Sequence, residues 1–274
     1  MVILPMDSNG MEKRGKDFIK FLGTAGARFV VSRQLRASGG LWLSLGEEKI
    51  LVDPGPGSLV RCLSSRPKLD PFVLSGVILT HRHLDHSNDV NIIIEAMTDG
   101  GRNRKGFLYA PRDVFAPPDS VVQTYVRAFL EKIDYLQEGK TIQHPSFTLK
   151  TPVRHNHPVE TYGLKFFLPY GTVSLISDTR FFPGLIDHYR NSDILIINVV
   201  LFHEYNDERI FHLHLRQAAE IIKNIEPKVA VLTHFGITML RKKPYLLAQD
   251  LQEQLGIRVI AASDGMTLAL KELI

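Results

Sequence analysis

Cysteine is almost absent: Cys62 is the only one in 274 residues. That excludes an intrachain disulfide and a thiolate metal cluster, and it points to a reducing, cytoplasmic compartment. Long apolar runs are also missing. The longest, Ile194 to Phe202, is interrupted by Asn198 and falls far short of the ~20 residues a spanning helix needs, so no membrane partner is expected. The opening MVILPMDSNGMEKRGK has a short apolar run that soon meets Asp7 and Glu12, which does not fit a secretory leader. No linker or low-complexity tract divides the chain. No P-loop, zinc-finger or helix-turn-helix pattern appears, which excludes a nucleoside triphosphatase and a dedicated DNA-binding regulator. Neither sign of charge dominates: 33 Lys+Arg against 29 Asp+Glu leave +4, spread along the chain and only mildly favourable to polyanions.

What is present is ordinary globular composition, 44% hydrophobic and 23% charged, enough to bury a core without staples. Short β-branched runs predict strands at 18–23, 41–45, 50–53, 77–80, 108–110, 163–168, 173–177, 194–200, 229–233 and 257–262. Asp264-Gly265 predicts a closing hairpin from 257–262 to 266–270. Helices are expected at 89–97, 120–132, 215–225 and 245–255. One echo stands out. KILVDPG (49–55) and GVILTHRH (76–83) are answered by TVSLISDT (172–179) and VAVLTHFG (229–236). Each pair is a buried-looking strand ending in Asp, then one ending in Thr-His. The expectation is a single domain over 1–274 built from two similar halves, about 15–150 and 151–274, sharing one edge site.

The strongest chemical signal is His81-Arg82-His83-Leu84-Asp85-His86. In an extended segment His81 and His83 point the same way and can meet on one ion. Asp85 and His86, a turn later, can face a neighbouring ion. Imidazole and carboxylate donors suit zinc, manganese or iron. Six residues supply too few ligands for two ions, so others must come from other strand ends. Asp178 is placed to bridge two cations, and His234 is a further ligand. One of His155 and His157 is expected to complete the first set. Asp53 is expected to hydrogen-bond a ligand imidazole and fix its tautomer.

These elements together resemble the metallo-β-lactamase-fold superfamily: LVDPG, THRHLDH, a downstream His, SDT and LTHFG, in the family's order. The resemblance implies an α/β architecture, a four-layer αββα sandwich with two divalent metal ions per chain at one sheet edge. It implies zinc first, with manganese or iron as alternatives. By analogy His81, His83 and His155 hold one ion, Asp85, His86 and His234 the other, and Asp178 bridges. FLGTAG (21–26) and HLHLRQAAE (212–220) resemble the ribonuclease Z and phosphodiesterase branch. The pair of alanines favours His212 over His214 as that branch's motif histidine, and H-x-x-P before Tyr-Gly favours His155 over His157. Only 22 residues separate His155 from Asp178, which leaves no room there for a long RNA-gripping arm.

The implied chemistry is hydrolysis of a phosphodiester, a small molecule or a short nucleic acid. A hydroxide shared by the ions attacks, Asp85 steers its proton, and His212 acts as general acid on the leaving group. The alternative is a metallo-hydrolase of carboxylic esters, lactones or thioesters. An oxygen- or nitric-oxide-reducing di-iron enzyme fits poorly, because carboxylates would be expected in place of some histidines. A non-catalytic scaffold need not keep an intact ligand set. Thr24, Arg36 and Ser38 are expected to contact substrate, with the backbone of Gly23–Gly26 as an anion nest. Arg102-Asn103-Arg104-Lys105 is a possible basic flap. His144, His188 and His203 are read as ordinary histidines. A homodimer is allowed.

Overall fold

The computed structural model describes residues 17–274, so the reading of residues 1–16 lies outside the described part. The first sheet takes β1 (Phe18–Phe21), β2 (Leu41–Leu45), β3 (Glu48–Val52), β4 (Gly76–Ile78), β5 (Phe107–Ala110) and β6 (Lys132–Tyr135). The second takes β7 (Thr141–Gln143), β8 (Thr148–Lys150), β9 (Leu164–Leu168), β10 (Gly171–Ile176), β11 (Ile194–Asn198), β12 (Val229–Thr233) and β13 (Arg258–Ala261). The last strand, β14 (Thr267–Ala269), returns to the first sheet. The orders are β14-β1-β2-β3-β4-β5-β6 and β13-β12-β11-β10-β9-β8-β7.

Alternation along the strands explains the layering. On β3, Ile50 and Val52 join the core between the sheets, while Leu51 faces the helices outside. On β11, Ile194 and Ile196 point between the sheets, and Leu195 and Ile197 point outward. Strands covered on both faces read as unbroken apolar runs, which is why this pattern carries little polar alternation. Each fully buried Ile contributes about 1.5–3 kcal/mol. The helix Leu215–Ile225 covers the outside of the second sheet with Ala218, Ile221, Ile222 and Ile225, the i, i+3, i+4, i+7 stripe of a one-sided helix. The result is helices, sheet, sheet, helices: an α/β sandwich.

The parallel pairs position the site. β3, β4 and β5 run parallel, as do β10, β11, β12 and β13. Their carboxyl ends share one edge of the sandwich, the usual place for a ligand in such sheets.

Two sequence expectations are corrected, and two strands were missed. Asp264-Gly265 does not close a hairpin, because β13 pairs with β12 and β14 pairs with β1; the turn carries the chain from one sheet to the other. Of the helix expected over 120–132, only Thr124–Arg127 forms, and Lys132 to Tyr135 pairs with β5 as strand. The short, partly polar β7 and β8 escaped the pattern altogether. Among the described residues no helix is long and apolar enough to cross a membrane.

Cys62 sits fully buried in the outer core of the first sheet. Burial, reinforced by Asp89, pushes its thiol up to about 12. Native protein should therefore resist a thiol-selective alkylating reagent at pH 8 and react with it only after unfolding; rapid labelling of the native chain would contradict this burial.

Candidate metal centre

Apart from His155, the expected site residues of the strand-end pattern begin where parallel strands end. Asp53 follows β3, His81 to His86 follow β4, Asp178 follows β10, and His234 follows β12. His83 caps the short helix Leu84–Ser87, which turns Asp85 and His86 back toward the edge. His212 arrives on the segment between β11 and the helix Leu215–Ile225.

Three groups of side chains could each hold an ion: His81, His83 and His157; His81, His86 and Asp178; Asp85, His86 and His234. The ligand atoms in each group lie within 4.8 Å of one another. His86 Nε2 and His234 Nε2 stand 3.6 and 3.5 Å from Asp178 Oδ2. His234 Nε2 is 3.5 Å from Asp85 Oδ2, and His83 Nδ1 is 3.1 Å from His157 Nε2. Donor atoms ~2.1 Å from a tetrahedral ion stand about 3.4 Å apart, so most of these spacings suit coordination better than direct hydrogen bonding. The buried Nε2 atoms of His81, His86 and His234 have no protein hydrogen-bond partner. Three buried nitrogens turned toward one region and left unmatched are costly unless a cation meets them. The donor set fits a divalent metal ion.

The surrounding bonds aim those nitrogens. Asp53 accepts from the Thr80 backbone N–H and hydroxyl, each at 2.7 Å, and from His86 Nδ1 at 2.9 Å. The Thr80 hydroxyl, having donated to Asp53, accepts from His81 Nδ1 at 3.1 Å. Both imidazoles thus carry their proton on Nδ1 and leave Nε2 free. Asp178 Oδ1 accepts from Asn198 Nδ2 at 2.8 Å. Only Oδ2 faces the histidines, so a bridge through Asp178 would use one oxygen.

The electrostatics agree with a cation site. Burial opposes a charged His86, yet Asp85, Asp53 and Asp178 together raise it well above the usual imidazole range. Burial likewise opposes the Asp178 carboxylate, but His234, His212 and His86 hold it well below the usual carboxylate range. Burial keeps His81 far below its ordinary value and lowers His83 and His212.

His155 is a correction. Its Nδ1 donates to the Asp178 carbonyl at 3.3 Å, so its Nε2 accepts from Tyr189 Oη at 2.7 Å. Both nitrogens are committed, and burial holds the ring at about 4. His157 stands in the cluster instead, with Nδ1 donating to the Phe211 carbonyl at 3.2 Å and Nε2 toward His83. Alternation cannot separate them, since residues i and i+2 of an extended segment share a face; the chain bends at His157, just past the Asn156–Arg180 bridge, and the H-x-x-P spacing was the wrong landmark. His212 Nδ1 lies 3.5 Å from Asp178 Oδ2, whereas His214 caps the helix Leu215–Ile225 in a reciprocal bond with Gln217.

Two of the expected substrate contacts are not available. The Thr24 N–H and hydroxyl both donate to Asp264, and Ser38 is buried against Gln34. Arg36 only reaches Thr24 Oγ1, at 3.4 Å. Nor is Gly23–Gly26 an anion nest: Ala25 N and Gly26 N donate to the Ala37 and Phe235 carbonyls. Its glycines serve close approach, since a Cβ on Gly26 would stand 2.1 Å from the His234 carbonyl oxygen. The basic run 102–105 precedes β5 and so lies at the opposite sheet edge, where Arg104 donates to the Leu130 carbonyl. Asn198, Thr80 and Ser177 were missed as positioning groups. Asn198 left a trace, as the one polar residue in an otherwise apolar run.

His157→Ala should strip metal from the purified protein. His155→Ala should keep most metal but lose about 1–3 kcal/mol of stability, because the buried Tyr189 hydroxyl loses its acceptor. Elemental analysis and thermal midpoints check both, and the reverse pattern would restore His155 as ligand. Asp53→Asn should weaken metal affinity about 10–100-fold, read by chelator competition.

A family model described as a beta-lactamase superfamily domain matches residues 48–235. An uncharacterized protein of Methanocaldococcus jannaschii is 33% identical over 261 residues, covering 92% of this chain and 94% of its own. A ribonuclease Z of Kineococcus radiotolerans is 22% identical over 78% of this chain and 82% of its own. Among solved structures, the metallo-beta-lactamase fold protein YhfI of Bacillus subtilis superposes with a TM-score of 0.77 at 20% identity, covering 93% of this chain and 99% of that one. With sandwich, strand-end ligands and matched domain in agreement, the chain belongs to the beta-lactamase superfamily and has the metallo-β-lactamase fold.

Proposed function

We propose that this protein is a dinuclear metal-dependent phosphodiesterase acting on small molecules or short nucleic acids. His81, His83 and His157 would hold one ion, Asp85, His86 and His234 the other, with Asp178 Oδ2 between them. Two divalent ions bound there, zinc by donor type, would activate water and offset charge on the phosphoryl oxygens. The remaining work falls to the chain's own groups.

The observation that carries the phosphodiester reading is His212. Its Nδ1 is buried without a hydrogen-bond partner, 3.5 Å from Asp178 Oδ2, and it belongs to none of the three ligand groups. Its side chain stays 24% exposed, so a substrate can reach it. An imidazole beside the ligands but outside their sets is suited to donate a hydrogen bond to the scissile phosphate or a proton to the departing alkoxide. Asp85 is placed to accept the proton of the attacking water. The family resemblance of the HLHLRQAAE segment and the ribonuclease Z relative support this reading. No long insert separates His157 from Asp178, since β9 and β10 fill that interval, which favours a small substrate over a folded RNA.

A p-nitrophenyl ester releases a stable phenolate and needs no such donor, whereas an alkoxide leaving a phosphodiester needs a proton. His212→Ala should therefore lower kcat on an unactivated phosphodiester by about 10²–10⁴-fold, with metal content unchanged and little loss on a p-nitrophenyl ester. Equal losses on both substrates would remove the acid role. Wild-type turnover of the ester alone would favour an ester, lactone or thioester hydrolase. Chelation should abolish all turnover, and added zinc or manganese should restore it.

A further inference from the structure

A second charged feature lies on the outer face of the first sheet. Lys20 sits on β1, two residues before the outward-facing Leu22 and so on the same face, opposite Trp42 and Thr267. It is only 7% exposed. Its Nζ donates to Thr267 Oγ1 at 3.2 Å, a neutral partner. A buried ammonium normally stands beside a carboxylate, and among the described residues none is paired with it. The same cleft is lined by Arg61, Ser64, Ser65 and Arg66, from the end of the helix Ser58–Ser64, with Leu22 and Gly265.

Among the described residues, no acidic one lines this cleft. The two guanidinium groups are exposed and make no ion pair or hydrogen bond with the described residues. Four other surface cations are matched, Lys140 with Asp134, Arg190 with Asp187, Arg209 with Asp207 and Lys228 with Asp193; what sets Arg61 and Arg66 apart is that they share a cleft with Lys20. Three cationic side chains, that of Lys20 buried, thus line one cleft where, among the described residues, no anion meets them. None of the lining residues belongs to the histidine cluster.

We propose that this cleft binds a phosphate group at a site separate from the metal centre. Two guanidinium forks match the oxygens of a doubly charged oxyanion, and a singly charged carboxylate would leave the excess largely uncompensated. The Ser64 and Ser65 hydroxyls now turn to the Arg61 carbonyl and can rotate to donate outward. Among the described residues no aromatic ring lines the cleft to stack a base, so recognition is of the phosphate itself. That phosphate belongs either to free orthophosphate and phosphomonoesters or to a polynucleotide backbone.

The test is calorimetric titration with inorganic phosphate against chloride at constant ionic strength. Wild-type protein should bind phosphate saturably, and so should His83→Ala stripped with a chelator, in which no bound metal is left to contact phosphate. Arg61→Ala/Arg66→Ala should bind at least about tenfold more weakly, while keeping metal content and thermal midpoint, because both side chains are exposed. Lys20→Met should weaken binding similarly, and its midpoint reports whether it folds. Absence of saturable binding to wild type, or full affinity in the double-arginine variant, overturns the proposal. Competition by a short single-stranded RNA separates the sources: displacement of phosphate supports the site as part of a polynucleotide track, and no displacement supports a free-phosphate site. Turnover is not read, so the outcome stands independently of the phosphodiesterase reading.

Discussion

A carboxylate taken out of water must be met on both oxygens, and at Asp178 the two are met differently. Oδ1 accepts from the Asn198 amide on the neighbouring parallel strand. Oδ2 faces His86, His212 and His234 at 3.5–3.6 Å, distances that leave space for a cation rather than making good hydrogen bonds. The carboxylate cannot turn without breaking the Asn198 bond inside the core. The direction of Oδ2, and with it the meeting point of the histidines, is therefore set by the register of β10 against β11.

The same logic runs outward. The Asp53 carboxylate takes three hydrogen bonds, from Thr80 and His86, and through the Thr80 hydroxyl it also orients His81. One acidic side chain from β3 thereby sets the tautomer of two imidazoles that follow β4. Backbone conformation is given up to achieve this. Asp53 and His234 both adopt left-handed φ, 52° and 60°, a conformation that costs non-glycine residues on the order of 1–3 kcal/mol. Gly26 and Gly55 lie where a Cβ would strike the carbonyl oxygens of His234 and Asp85, so these glycines let the loops close around the ligands. The Gly23–Gly26 turn acts on the centre through packing, not through its N–H groups.

Much of the fold was legible because its strands are buried on both faces and read as compact apolar runs ending in Asp or Thr-His. Leu41–Leu45 and Val229–Thr233 could be bounded to the residue for that reason. Boundaries failed where partners rather than composition decide structure. The helix expected over 120–132 ends early, and its last residue, Lys132, instead opens a strand to Tyr135 because the parallel edge of β5 recruits it. β13 and β14 look like a hairpin, but each finds a partner in a different sheet.

Within the centre, the six-residue histidine motif, Asp53, Asp178 and His234 could be named from local pattern, since strand ends and i, i+2 alternation are local facts. His155 and His157 could not be told apart that way. Simple alternation would put both on one face; what separates them is the bend at His157 together with Tyr189 and the Asp178 carbonyl, more than twenty residues away in the chain, which take up His155. Thr24 and Ser38 looked available in the sequence and are consumed by Asp264 and Gln34 in the fold. The sequence by itself determined the ligand chemistry and the sandwich, because residue type and hydrophobic period are written in it. Tertiary structure alone decided which histidine faces inward and which hydroxyls remain free, because those depend on hydrogen bonds between segments that become neighbours only on folding.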